Sequence, residues 1–152
     1  MPIKHAQLRV YVHATEDEEK VLQSIKNSLP EEVLREAKIT KETYHGHYGN
    51  PITVITVTIN NPRLAEEALN YLLEKLGASG RLILSSSLED RVDKGGSLFF
   101  RISKQDAYMG SITIYETDDV IRVSIGFSGK RKDAIQYYRR MLEGAEKRKK
   151  DS

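Results

Sequence analysis

Apolar and polar side chains are ordered regularly enough along the chain to predict most of its elements. Leu8-Arg9-Val10-Tyr11-Val12-His13 alternates, the period of two expected of a strand with one buried face. Residues 36 to 45, 52 to 59, Leu98 to Ile102, Ile112 to Tyr115 and Val120 to Phe127 also read as strands. The stretch His45-Gly46-His47-Tyr48-Gly49-Asn50-Pro51 joins two of them as a turn or a functional loop, and Thr117-Asp118-Asp119 turns between the last two. Helical spacing appears at Val21, Leu22, Ile25 and Leu29, with Thr15 and Glu18 as a capping box ahead of it and Pro30 as a stop or a kink. Asn61-Pro62 opens a second helix with Leu64, Ala65, Ala68, Leu69, Leu72 and Leu76 on one face and Gly77 as its cap. Residues 79 to 90 suit a shorter helix, and Lys130 onward, with Ile135, Tyr138, Leu142 and Ala145, a final one.

Strands and helices alternate irregularly, and neighbouring strands are close enough to form hairpins. This predicts an α+β fold, a two-layer, mostly antiparallel mixed sheet with helices packed on one face. A doubly wound sheet fits less well, because few connections are long enough for parallel crossovers. A chain of 152 residues buries roughly 70% of its unfolded surface, so residues 1 to 152 are expected to form one domain with a basic C-terminal helix and tail.

Composition narrows the chemistry. With 39% hydrophobic and 30% charged residues, disorder is excluded, and the lack of cysteine excludes disulfides, thiolate metal sites and cysteine nucleophiles. No apolar run approaches the roughly 18 residues of a membrane span, and the opening Met-Pro-Ile-Lys-His-Ala-Gln is not a signal peptide. A cytoplasmic protein without membrane contact is expected. The net charge is +2, but residues 130 to 152 carry nine Lys/Arg against four Asp/Glu, leaving the first 129 residues at −3. A basic segment on a mildly acidic body suits a local polyanion contact and equally a solvated helix end.

If Leu8, Val10, Val12, Leu98, Phe100, Ile102, Ile112, Ile114, Ile121, Val123 and Ile125 face the helices, then Arg9, Tyr11, His13, Phe99, Arg101, Tyr115 and Arg122 face away. Aromatic rings interleaved with arginines suit unpaired bases and phosphates, and they also suit a protein interface. Lys130, Arg131 and Lys132 precede or begin the last helix, where a bound phosphate would reconcile three cations with the helix dipole; an exposed loop is the other reading. His45 and His47 could share a face of an extended segment, but a metal site needs further ligands that the sequence does not place. No hydrolase, zincin or dinucleotide motif occurs, so no enzyme activity, metal or cofactor is expected.

Four blocks resemble a known family. They are His13-Ala14-Thr15-Glu16-Asp17-Glu18-Glu19-Lys20-Val21, Gly46-His47-Tyr48-Gly49-Asn50-Pro51-Ile52, Leu88-Glu89-Asp90-Arg91-Val92-Asp93 and Arg101-Ile102-Ser103-Lys104-Gln105-Asp106-Ala107-Tyr108-Met109-Gly110. In that order they resemble the archaeal family described as a predicted exosome subunit or RNA-binding protein. The resemblance implies the two-layer fold of the large-subunit ribosomal protein that contacts 5S RNA, an archaeal origin and a role in RNA metabolism. It carries over His47, Gly49, Asn50 and Pro51 in the loop, and Lys104 and Gln105 after a strand. Tyr48, Ser103 and Asp106 depart from that pattern.

The function expected is non-catalytic RNA binding, in archaeal RNA processing or exosome- or ribosome-associated RNA metabolism. The partners are single-stranded or structured RNA, with an RNA-processing protein complex and a homodimer as further possibilities. The alternative is a protein-interaction subunit that does not read RNA. The candidate RNA-binding residues are Arg9, Tyr11, His47, Asn50, Phe99, Arg101, Lys104, Gln105, Arg122, Lys130, Arg131 and Lys132.

Overall fold

A computed structural model describes residues 2–45 and 49–151. In chain order its elements are β1 (Ile3–Val12), α1 (Glu18–Lys26), α2 (Glu31–Glu36), β2 (Lys38–His45), β3 (Pro51–Ile59) and α3 (Pro62–Lys75). There follow α4 (Gly77–Ser86), α5 (Leu88–Arg91), β4 (Leu98–Ser103), α6 (Lys104–Tyr108), β5 (Val120–Phe127) and α7 (Arg131–Asp151). The five strands lie in the order β2-β3-β1-β5-β4, and every neighbouring pair is antiparallel. This is the two-layer α+β arrangement that the alternation predicts.

One face of the sheet supplies the core. Leu8, Val10, Ile55, Val57, Leu98, Phe100, Ile102, Ile121, Val123 and Ile125 are buried on it, against Leu64, Leu69 and Leu72 of α3 and Tyr138 and Leu142 of α7. Asn61 caps α3 by accepting from the backbone N–H groups of Arg63 and Leu64, with Pro62 at the first position, where its missing N–H costs nothing. The turn before β4 meets α7 closely. Gly96 has φ of 88°, and a Cβ there would stand 3.1 Å from that of Ala134. Only glycine fits, and the Gly96 carbonyl accepts a 2.7 Å hydrogen bond from the buried Tyr138 hydroxyl.

Four expectations are corrected. The cap of α1 is Asp17, not Thr15: its carboxylate accepts from the Glu19 N–H at 3.0 Å. α1 already ends at Lys26, with Asn27 as its C-cap, and Pro30 instead starts a second helix, because its fixed φ of −62° suits the N-cap of α2. The predicted helix 79 to 90 is two, α4 and α5, broken at Ser87. Residues 112 to 115 form only a bridge from Ile114 to Ile102, with the Ser103 N–H on Thr113 O and the Tyr115 N–H on Arg101 O. That short pairing and a bridge from Val92 to Leu98 cover the outer edge of β4. At the other edge, every residue of β2 is exposed.

Candidate functional site

The second face of the sheet carries an arginine row. Arg9 of β1 is directly opposite Arg122 of β5, which is directly opposite Arg101 of β4. Like charges facing each other across strands destabilise a sheet. Among the described residues, no carboxylate lies within ion-pair distance of any of the three. An aromatic ring offers a stabilising contact, with the Arg122 guanidinium carbon 5.8 Å from the Tyr11 centroid. Two residues along from Arg101, in the opposite direction from Tyr11, Phe99 is 48% exposed. On β2, Tyr44 shares this face and is 52% exposed. Its phenol donates to the Glu42 carboxylate, whose hydrogen bond and charge raise the phenol's pKa, while Arg9 acts in the opposite sense.

The row floors a cleft of about 540 Å³. Gln7, Arg9, Phe99, Arg101, Arg122 and Ser124 come from the sheet, and α5 with the residues after it folds round the β4 edge to bring Asp90, Arg91, Val92 and Asp93 to the cleft. Glu116 stands across from them, and its carboxylate accepts from Arg91 at 2.7 Å to close the rim. Asp93 Oδ1 is held within its own turn, accepting from the N–H groups of Gly95 and Ser97 at 2.9 Å each. An open face with free cations, exposed rings and a walled edge can hold an extended polyanion whose bases stack.

The profile of a family described as RNA binding matches residues 5–127, which include every residue of that face on β1, β3, β4 and β5. The chain belongs to this RNA-binding family. RNA-binding protein PAB1135 of Pyrococcus abyssi is 34% identical over 141 residues, covering 90% of this chain and 92% of that protein. Protein AF2318 of Archaeglobus fulgidus superposes with a TM-score of 0.79 at 32% identity, covering 91% of this chain and 99% of its own. Mth689, a DUF54 protein of Methanothermobacter thermautotrophicus, gives 0.75 at 30% identity, over 93% and 99% of the two chains. The family and the Pyrococcus relative are described by binding, not by a reaction.

The structure brings together five of the residues expected to contact RNA: Arg9, Tyr11, Phe99, Arg101 and Arg122. Lys104 is elsewhere, beneath β1. It is 5% exposed, donates to Tyr11 O at 3.0 Å and to Glu16 Oε1 at 2.9 Å, and pairs with Asp119 Oδ1 at 3.0 Å. Two of the ammonium's donors are used and its charge is paired with two carboxylates, so Lys104 is a strut that fixes the backbone beneath Tyr11. Gln105 holds the other Asp119 oxygen, donating to Oδ2 at 3.2 Å. Two of the blocks that resemble the family thus meet at one buried cation. Arg131 is likewise occupied, donating to the carbonyls of Glu89 at 2.6 Å and Val92 at 3.2 Å at the end of α5. Lys130 and Lys132 are exposed beside it, outside the span of the family profile. Asn50 is exposed at the β2–β3 turn, and His47 lies outside the described residues. No group of three or more His, Asp or Glu converges to hold a metal among the described residues. Sequence reasoning missed Arg91 and Tyr44 at the site. Tyr44 follows the alternation of β2, but Arg91 reaches the face only because α5 folds round an edge.

Proposed function

We propose that this chain binds single-stranded RNA on the open face of its sheet, without catalysis. The observation that carries this reading is the row Arg9–Arg122–Arg101, three cations opposed across adjacent strands with no carboxylate partner among the described residues. A sheet tolerates such a row when a polyanion neutralises it. From strand spacing and rise, Tyr11 and Phe99 stand roughly 17 Å apart on either side of the row. A strand stacked on both rings has its intervening phosphates above the guanidinium groups and spans about four nucleotides, the lower end of known site sizes. Lys130 and Lys132 add a peripheral, sequence-independent attraction. The setting is RNA processing, in an exosome-associated or ribosome-associated assembly of an archaeal cell.

The test is fluorescence anisotropy with a labelled ten-nucleotide uridine strand and a duplex of equal length, at about 50 and 200 mM salt, where the phosphate contribution differs most. Changing Tyr11 and Phe99 together to Ala should weaken single-strand binding by roughly tenfold or more and change duplex binding little. Absence of binding to any strand at the lower salt refutes the proposal. Unaltered RNA affinity in the double variant, with a fall in mass by light scattering, transfers the face to a protein interface.

A further inference from the structure

The cleft at the β4 edge is more than a continuation of the basic face, because its wall is acidic where its floor is cationic. Of the three carboxylates that line it, Asp93 accepts two backbone N–H groups on Oδ1, which ties it into its own turn, and Glu116 accepts Arg91 on Oε1. Asp90 is exposed, and among the described residues only its backbone N–H is engaged, on Ser87 O at 3.1 Å. It lines the same 540 Å³ space as the exposed ring of Phe99 and the arginine row. We propose that this cleft takes one splayed-out nucleotide, prefers guanine, and reads it with the carboxylate of Asp90. The inference rests on RNA binding at this face and adds a base preference to it.

The chemistry selects the base. A carboxylate is acceptor-only, with two oxygens side by side. Guanine presents two adjacent donors on its Watson–Crick edge, N1–H and the N2 amino group, and satisfies both oxygens. Adenine and cytosine each offer an amino group next to a ring-nitrogen acceptor, so one oxygen faces a lone pair. Uracil offers one N–H flanked by two carbonyls, which repel the carboxylate. The base stacks on Phe99 while its phosphate lies toward Arg101 and Arg122, which offsets the cost of bringing an anion near Asp90. The same chemistry would accept a free guanine nucleotide.

The experiment compares ten-nucleotide uridine strands with strands carrying a single central G, A or C, on the full chain and on Asp90→Asn. A single G should tighten binding roughly tenfold over the uridine strand, the discrimination usual for a bidentate base contact. A and C should gain less. Asp90→Asn should abolish the G advantage and leave the uridine strand bound as well or slightly better, since a negative charge is removed. Equal binding of all four strands overturns the proposal, as does an Asp90→Asn change that shifts every strand by one factor. Loss of the uridine strand itself would instead overturn the RNA reading, so the two failures are distinguishable. Guanosine monophosphate should compete for the G strand better than uridine monophosphate does, and equal competition also overturns the proposal. Competition by the guanine monomer at concentrations similar to the oligonucleotide would identify the free nucleotide as the occupant of the same guanine site.

Discussion

Changing Arg122 to Gln should make the unliganded protein more stable at low salt and a poorer RNA binder at once. Arg122 is the centre of the row, so its removal relieves two like-charge contacts, with Arg9 and with Arg101. At roughly 0.2–1 kcal/mol each, the relief is about 1 kcal/mol. Against it stands the lost attraction to the Tyr11 ring, worth about 0.5–1 kcal/mol at an exposed site. The two effects separate with salt, because the screening length is roughly 30 Å at 0.01 M and 3 Å at 1 M. Urea unfolding should therefore show a more stable variant at low salt and an equal or less stable one at high salt; urea is chosen because guanidinium chloride would itself screen. In the binding assay each phosphate contact removed from a single strand lowers the slope of log affinity against log salt by about 0.7. A variant less stable at every salt concentration, with an unchanged binding slope, would show that Arg122 serves the fold and would refute the assignment of this face.

Lys104→Met leaves the carboxylates of Glu16 and Asp119 facing a methyl group; because both are partly exposed, the loss should be about 1–3 kcal/mol, measured as a lower urea midpoint at unchanged slope. Separating the basic cluster should split its roles: Lys130 and Lys132 changed together to Ala should flatten the salt dependence of RNA binding without moving the urea midpoint. Arg131→Ala should lower that midpoint, at a cost of about 1–2 kcal/mol in stability, because the carbonyls of Glu89 in α5 and of Val92 just after it lose their donor. The Tyr138 hydroxyl predicts an alkaline limit. Burial, reinforced by the Asp93 carboxylate, raises its pKa above the usual 10, so the unfolded chain ionises first. Stability is full below pH 10 and falls as pH rises beyond it, and Tyr138→Phe should reduce that slope while costing about 0.5–1.5 kcal/mol at neutral pH through the lost bond to Gly96.

The sheet and its two faces were legible because alternation is a local property. Once Leu8, Val10 and Val12 are assigned to the core, Arg9 and Tyr11 follow on the other side, and the same parity in β4 and β5 yields Phe99, Arg101 and Arg122. The short helices were not legible. α6 spans five residues, too few for a period, and is set by the Ser103 hydroxyl accepting the Asp106 N–H and by the Asn27 amide reaching the carbonyls of Ala107 and Tyr108. Nor does a sequence distinguish a free cation from an occupied one. The partners of Lys104 include Glu16, 88 residues away, and one acceptor of Arg131 is 42 residues away. Three cations in a row at 130 to 132 look alike until α5 is placed, and only then does Arg131 stand apart. The cleft was hidden for the same reason, since its acidic wall comes from a segment that crosses an edge.

The exposure of β2 on both faces gives the sheet an uneven resistance to opening. No residue of β2 belongs to the core, so its hydrogen bonds to β3 can break without exposing a packed side chain. The opposite edge is closed by residues 92 and 113 to 115. Amide hydrogen exchange should accordingly be graded across the strands: fastest in β2, slower in β3, slowest in β1, whose neighbours on both sides must separate first. Tyr44 rides on the strand that opens most readily, whereas Tyr11 is held from beneath by Lys104. Of the rings on the open face, one is mounted on a braced strand and another on an edge strand that carries no core residue, so the two should differ in mobility.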